Sequence, residues 1–219
     1  MEREEVKDYI QKNCIWRGNP EIKYDKNLPP GKLYGAAPGY HDSWLTMMRR
    51  FSHNPAMLDY ASRAIFKKIT ELDMDVQLCG LETSSIPIIS AIQIIAYNNL
   101  FPLNSFTIRK ERKKYGLFNL IDGIPNDKRF IVIDDFTNTG SSVRNCCDVS
   151  LYELGLDPAP VAFSILRNDT RHGFVYFNGT KIELNSLFNI SEFDLEYNPE
   201  EYWLPTDVDK SVNKRVDYK

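Results

Sequence analysis

The sequence has no hydrophobic run long enough to cross a membrane. Its longest apolar stretch, residues 86–97, is interrupted by Pro87, Ser90 and Gln93 and is shorter than the ~20 residues that span a bilayer. The chain also opens with charged residues where a secretory signal has an apolar segment. We therefore expect a cytoplasmic protein that does not bind membranes.

Cysteine, histidine and excess positive charge are scarce too. No cysteine pair has the C-x-x-C spacing of a zinc site, so we expect reduced thiols in the core. The net charge of −3 excludes a global basic excess that would hold nucleic acid through its phosphates, and no nucleic-acid partner is expected. The cysteines are Cys14, Cys79, Cys146 and Cys147, and the scattered histidines, which predict no metal site, are His41, His53 and His172.

What the 219 residues do contain is an alternation of strand and helix patterns, which predicts an α/β fold with a parallel, twisted sheet flanked by helices. In such sheets the ligand loops follow the carboxyl ends of the strands, and here these loops are Gly80–Ser85 and Asp134–Ser142. The predicted helices are 1–12, 54–72, 86–98 and 143–154, the strands are 76–79, 105–109, 129–133 and 160–166, a hairpin covers 174–184, and 13–52 and 110–128 are irregular.

The most informative motif lies between residues 130 and 142. Four apolar residues, 130–133, fit a parallel strand that is buried on both faces. Asp134 and Asp135 follow, and because an unpaired buried charge is costly, we expect both to face solvent or a ligand. Hydroxyl residues and Gly140, which allows close approach of the backbone, then precede a helix whose free N–H groups suit a phosphate. Carboxylates for a sugar diol beside such a site predict ribose 5-phosphate as the ligand; a plain helix-capping loop is the structural alternative.

This motif resembles the ribose-phosphate motif of type I phosphoribosyltransferases, in which an apolar strand, two acids and a Thr/Gly-rich loop follow one another. The resemblance implies that Asp134 and Asp135 are catalytic and hold the ribose hydroxyls. It also implies Mg²⁺ as the cofactor, which the two acids contact mostly through the ligand. The residues implied to bind ribose 5-phosphate are Asp134, Asp135, Phe136, Thr137, Asn138, Thr139, Gly140, Ser141 and Ser142.

A basic run, Arg109–Gly116, resembles the R-K-x-x-K-x-H-G loop of the orotate phosphoribosyltransferases, with Tyr115 where that family has histidine. The resemblance implies a homodimer in which loop 110–122 closes over the partner's site. Catalytic roles fall to Arg109 and Lys113, and Arg167 is implied to bind the base. The residues implied to bind the diphosphate are Thr83, Ser84, Ser85, Arg109, Lys110, Lys113 and Tyr115.

The same resemblance implies the organisation of the chain. Residues 1–198 would form the phosphoribosyltransferase-like domain, with a small hood made of roughly 1–55 and parts of 170–198. Residues 199–219 would form a C-terminal arm or tail. The implied activity is Mg²⁺-dependent transfer of ribose 5-phosphate from 5-phosphoribosyl-1-diphosphate to a base, most simply orotate or a related pyrimidine, with release of diphosphate.

Two other functions remain open at this point. A regulator could bind the phosphoribosyl donor or a nucleotide without turnover, which the departures from the family pattern at Ser85, Tyr115 and Asn138 would suit. An RNA-binding protein could use the basic residues 109–114, although these lack interleaved aromatic residues.

Overall fold

The computed structural model describes residues 1–24, 26–34, 41–112 and 119–196, without the side chains of residues 33, 34, 41 and 42. The predicted loop residues Lys113 and Tyr115 and the predicted tail 199–219 therefore lie outside the described residues. The chain divides into two compact units: Met48–Glu192 together with Met1, and Glu2–Met47 together with the residues from Phe193 onward. The hood boundaries inferred from the sequence stay a prediction.

The elements are numbered here along the chain. The helices are α1 (Arg3–Asn13), α2 (Arg49–Ser52), α3 (Pro55–Thr70), α4 (Ser85–Asn98) and α5 (Ser141–Leu154). The strands are β1 (Ile15–Arg17), β2 (Leu33–Tyr34), β3 (His41–Asp42), β4 (Trp44–Thr46), β5 (Val76–Leu81), β6 (Ser105–Ile108), β7 (Ile121–Gly123), β8 (Arg129–Thr137), β9 (Pro158–Arg167), β10 (Phe174–Phe177) and β11 (Thr180–Asn189).

The larger unit is built on a seven-stranded sheet in the order β10-β11-β9-β8-β5-β6-β7. The five inner strands run parallel, and the edge strands β10 and β7 pair antiparallel with β11 and β6. The predicted α/β fold with a mostly parallel sheet is confirmed. Because the inner strands are parallel, the loops after β5, β6, β8 and β9 meet along one edge of the sheet.

Local chemistry accounts for the helix boundaries near this sheet. Asn54 precedes α3, and its side chain accepts hydrogen bonds from the backbone N–H groups of Ala56 and Met57. Gly155 ends α5 in the left-handed conformation, with φ at 67°. Both boundaries were predicted from these residues.

The core lies on the buried faces of β8, β5 and the β10–β11 hairpin. Phe106 and Phe130 meet edge to face, with ring centroids 5.7 Å apart. All four cysteines are free and buried, as predicted. The cluster that packs beneath α5 is formed by Cys79, Phe106, Ile108, Phe130, Val132, Val143, Cys146, Cys147, Leu156, Ala162, Val175, Phe177, Ile182 and Leu184.

The smaller unit has its own short elements. The segment 13–52, predicted to be irregular, holds the antiparallel pairs β1–β4 and β2–β3 of this unit. The short helix α2 at the end of the segment belongs to the larger unit. Strands this short leave no periodic pattern in the sequence, because their pairing is set by distant partners.

Several other boundaries differ from the prediction, and three of them bear on the predicted ligand loops. Strand β8 continues to Thr137, although a loop was predicted from Asp134, and α5 begins at Ser141 and not at Val143. The connection 110–128 contains β7, which pairs with β6. Hydrogen bonds to a neighbouring strand extend β8 and form β7 in polar segments, whereas the start of α5 is fixed by hydrogen bonds within the helix, such as that from the Arg144 N–H to the carbonyl of Gly140.

Candidate active site

The carboxyl ends of β8 and β9 lie side by side. Asp134 pairs with Ser164 in the register of the two strands, and Thr137 pairs with Arg167. On the other side of β8, Cys79 of β5 pairs with Val132, so the loop after β5 starts near the same edge. The two loops predicted to bind the ligand are therefore neighbours.

The two acids of the motif differ in their surroundings. Asp134 is buried, with 7% of its surface exposed, and its Oδ1 accepts the backbone N–H of Asp135 at 2.9 Å. Burial raises the pKa of Asp134 well above its ordinary value, and the charge of Asp135 raises it further, while a hydrogen bond from Ser142 opposes the shift. Asp134 does not face solvent, because the strand continues past it and its side chain is turned towards Ser142 of α5. That both acids contact a ligand stays a prediction.

Asp135 lies on the other face of β8 and is half-buried. Its Oδ1 accepts the backbone N–H of Phe136 at 2.9 Å. The carboxylate therefore keeps acceptor capacity for further hydrogen bonds. Of the two acids, Asp135 has the more exposed carboxylate.

The start of α5 is open to an anion. The residue before α5 is Gly140, which has no side chain to cap the helix, in contrast to Asn54 at α3. The free N–H groups and the positive end of the helix dipole favour a phosphate at this point. The alternative that this segment merely caps the helix is not supported. Thr139 and Ser141 are exposed and Ser142 is half-buried, whereas Thr137 is buried.

Gly140 is required for a different reason from the one expected. Its φ is 76°, and a Cβ atom built on it would lie 2.4 Å from Cγ1 of Val175 in β10. The missing side chain therefore allows the loop to pack against the hairpin, in addition to permitting a left-handed turn. The sequence suggested only close approach to the ligand.

Asn138 is held by a residue that sequence reasoning did not assign to the site. Buried Asn168, just after β9, donates from Nδ2 to Oδ1 of Asn138 at 2.9 Å. The Asn168 backbone N–H also donates to the carbonyl of Thr137 at 2.9 Å. Asn168 thus fixes the course of the loop, and its only signal in the sequence was a polar residue following the apolar strand of β9.

The loop after β5 places its hydroxyl residues unequally. Thr83 is exposed and Ser84 is half-buried, but Ser85 is buried and its Oγ donates to the carbonyl of Leu81 at 2.5 Å. The hydroxyl of Ser85 is therefore directed into the loop, because Gly80 leaves room for it beneath the strand end. The peptide bond between Glu82 and Thr83 is cis.

Arg109 follows β6 and is enclosed by carboxylates. Its Nη1 lies 2.6 Å from Oδ2 of Asp122, and its Nη2 lies 3.7 Å from Oε2 of Glu82. Lys110 is exposed, but its backbone N–H donates to Oε1 of Glu82 at 3.0 Å. Sequence analysis assigned no role to Glu82, although it lies in the predicted ligand loop Gly80–Ser85, or to Asp122, which lies outside the recognised motifs.

Arg167 ends β9 and is half-buried. Its Nη2 donates to Oδ1 of Asn189, at the end of β11, at 3.2 Å. Oδ1 of Asn189 also accepts from the hydroxyl of Ser186 at 3.1 Å. Arg167 thus lies at the same sheet edge as Asp135, on the side of the hairpin.

The donor set at this edge suits a cation only in part. Within the described ranges, no group of three or more histidine, cysteine, aspartate or glutamate side chains could hold a metal ion. A magnesium ion here would take most of its ligands from substrate oxygens, with one carboxylate such as Asp135 at its margin.

In the described part of the chain, no helix is both long and apolar enough to pass through a bilayer.

Comparison with known proteins gives the family. No model of a protein family matches this chain. The orotate phosphoribosyltransferase of Aquifex aeolicus is 30% identical over 194 residues, which cover 88% of this chain and 97% of that protein. The orotate phosphoribosyltransferase of Methanocaldococcus jannaschii is 32% identical over 108 residues, 49% of this chain and 57% of that protein.

Solved structures agree on the fold. The crystal structure of the orotate phosphoribosyltransferase of Mycobacterium tuberculosis has a TM-score of 0.60 at 16% identity, over 86% of this chain and 96% of that one. The predicted type I phosphoribosyltransferase fold is confirmed. Because the Aquifex protein aligns along nearly its whole length, this chain belongs to the orotate phosphoribosyltransferase family of phosphoribosyltransferases.

Proposed function

We propose that this enzyme transfers ribose 5-phosphate from 5-phosphoribosyl-1-diphosphate to orotate and releases diphosphate. The observation that carries the proposal is the uncapped start of α5 beside the half-buried carboxylate of Asp135. A phosphate and a vicinal diol, separated by the few bonds of a ribose ring, match these two features. The names of the relatives support orotate as the acceptor.

The reaction breaks the bond between C1 of the ribose and the diphosphate oxygen, whose electron pair leaves with the diphosphate. A ring nitrogen of the base then bonds to C1, and its N–H proton is released to solvent. Asp135 holds the ribose hydroxyls and favours the positive charge that develops on the ring. The amides that open α5 and the hydroxyls of Thr139 and Ser141 hold the 5-phosphate.

Asp134 has an indirect role in this mechanism. Its carboxyl group is buried and bonded to the backbone N–H of Asp135 and to Ser142. It therefore orients the second acid and the loop and does not grip the diol itself. Magnesium, when bound to the donor, would neutralise charge on the diphosphate.

Basic residues are proposed to pair with the diphosphate of the donor and with the carboxylate of the base. Lys113, which lies outside the described residues, is proposed from the sequence resemblance to stabilise the departing diphosphate. Arg167 is proposed to pair with the carboxylate of orotate, after exchanging its contact with Asn189. The homodimer, in which loop 110–122 serves the partner's site, and the cytoplasmic location stay predictions.

The test is release of diphosphate from the donor with Mg²⁺ and a panel of bases that includes orotate, uracil and adenine. Release that depends on orotate supports the proposal. Tight binding of the donor without release with any base would instead support a regulator. Release with a purine alone would overturn the assignment of the acceptor.

Variants test the assigned roles. We expect Asp135→Asn and Lys113→Ala each to lower kcat at least about 100-fold, because each removes a charge that acts on the transition state. The matched control is Asp127→Asn, an exposed aspartate in the connection before β8. Near-normal rates in both site variants would refute the assignments.

A further inference from the structure

Glu82 lies between the two segments predicted to bind diphosphate. It directly precedes Thr83, in the loop after β5, and its backbone N–H donates to the carbonyl of Ile108, the last residue of β6, at 2.8 Å. Its side chain is 24% exposed and reaches across to the segment that follows β6. One residue thus contacts both segments through backbone and side chain.

The carboxylate makes two contacts of unequal strength. Oε1 accepts the backbone N–H of Lys110 at 3.0 Å, a distance typical of a good hydrogen bond. Oε2 lies 3.7 Å from Nη2 of Arg109, within ion-pair range but longer than a hydrogen bond. The bond to the Lys110 amide is therefore the principal contact, and the attraction to Arg109 adds to it.

Arg109 links Glu82 to residues 119–122, which follow the basic run Arg109–Gly116 in the sequence. Its Nη1 lies 2.6 Å from Oδ2 of Asp122, and Nδ2 of Asn119 donates to Oδ1 of the same aspartate at 2.8 Å. The backbone N–H of Arg109 donates to the carbonyl of Leu120 at 2.8 Å. Residues before and after the segment 113–118 are thus joined to one network.

A carboxylate at this place is unexpected on charge alone. Glu82 and Asp122 both contact the guanidinium of Arg109, so their charges reduce the attraction of this side chain for an incoming diphosphate. The position of the two carboxylates is explained if they hold the Lys110 backbone and the Arg109 guanidinium where these groups can bind the diphosphate. A side chain of 24% exposure that accepts a backbone N–H suits such a fixed role.

We propose that Glu82 is a positioning residue for phosphoribosyl transfer, which holds the loop after β5 and the base of the basic segment in the relative arrangement that binds the diphosphate. This inference rests on the proposed function. Glu82 acts through the Lys110 amide and Arg109 and does not touch the reacting atoms. Its loss should therefore weaken binding of the donor more than it slows the chemical step.

Two substitutions separate the two contacts. Glu82→Gln keeps an oxygen that can accept from the Lys110 amide but removes the charge, whereas Glu82→Ala removes both. We expect Glu82→Ala to raise the KM for 5-phosphoribosyl-1-diphosphate about tenfold and Glu82→Gln about twofold to threefold, with kcat within about twofold of the wild type. Glu71→Ala, at an exposed glutamate beyond the end of α3, is the control and should change neither constant.

A second measurement does not depend on activity. Exchange of the Lys110 amide hydrogen should be about tenfold faster in Glu82→Ala than in the wild type and nearly unchanged in Glu82→Gln, and thermal unfolding checks that both variants fold. If the wild type neither binds nor turns over the donor, the proposed function fails. In that case, equal exchange rates of the Lys110 amide hydrogen in all three proteins would also overturn the hydrogen bond between Glu82 and this amide. Faster exchange in Glu82→Ala alone would support that bond.

Where the wild type is active, the kinetic constants decide. An unchanged KM in Glu82→Ala overturns the proposal. A lower KM does so too, because it would mean that the carboxylate only repels the diphosphate. A fall in kcat with KM unchanged would place Glu82 in the chemical step and would contradict the positioning role.

Discussion

Asp134 shows how one side chain can combine a functional position with a cost in stability. Burial and the nearby Asp135 raise its pKa well above 3.8, so the folded chain binds this proton more tightly than the unfolded chain does. The stability that this site contributes is therefore present below the unfolded pKa and is lost as the pH rises through the folded pKa. Above the folded pKa, where the buried carboxyl is charged, the group is at its least favourable for folding.

We therefore expect Asp134→Asn to raise the free energy of unfolding at pH 7 by on the order of 1 kcal/mol or more, since the amide is neutral and can still accept from Asp135 and Ser142. The gain should shrink as the pH falls, because protonation removes the charge from the wild type. Urea unfolding at a series of pH values measures it. The exposed control Asp127→Asn should show no such trend, and a variant less stable than the wild type at pH 7 would contradict the expected effect of burial.

At the scale of elements, the turn between β8 and α5 depends on its contact with the β10–β11 hairpin. Gly140 and Gly155 flank the same helix, and both have positive φ, 76° and 67°. A Cβ at Gly140 would collide with Val175, whereas a Cβ at Gly155 would have no atom within 4 Å. Comparing substitutions at these two glycines therefore separates the cost of backbone strain from the cost of steric crowding against Val175.

We expect Gly155→Ala to cost about 1 kcal/mol of stability from backbone strain alone. Gly140→Ala should cost about 2–4 kcal/mol, because overpacking against the hairpin adds to the strain. Chemical denaturation of both variants gives the comparison. Equal losses would mean that the hairpin moves aside freely, and then the contact with Val175 would not hold the loop.

At the scale of the whole molecule, the proposed homodimer with a shared loop has a direct test. Lys113→Ala and Asp135→Asn subunits, each expected to be inactive alone, can be mixed by unfolding and refolding together. If loop 110–122 serves the partner's site, each mixed dimer contains one site with both Lys113 and Asp135. Random pairing then restores about one quarter of wild-type activity per subunit, because half of the dimers are mixed.

Activity that stays at the level of the single variants after mixing would show that each loop serves its own subunit. Sedimentation of the mixture establishes whether dimers form at all. Re-mixing two preparations of the same variant is the control for recovery after refolding.

Local sequence determined the parts of this protein that depend on neighbours along the chain. The apolar run 130–133 followed by Asp134 and Asp135 predicted a buried strand with a ligand loop at its end, and Asn54 and Gly155 marked helix boundaries. These signals are readable because caps, turns and periodicity involve residues a few positions apart. The family resemblance rested on the same short segments.

Tertiary structure alone decided which polar groups are buried and which are paired. It turned Asp134 inward, directed the hydroxyl of Ser85 to Leu81, and enclosed Arg109 between Glu82 and Asp122. The contacts of Arg109 join segments from different strands, and the burial of Asp134 and Ser85 depends on how the sheet packs against its helices. No pattern within one segment of sequence contains that information, because burial and charge pairing are properties of distant contacts.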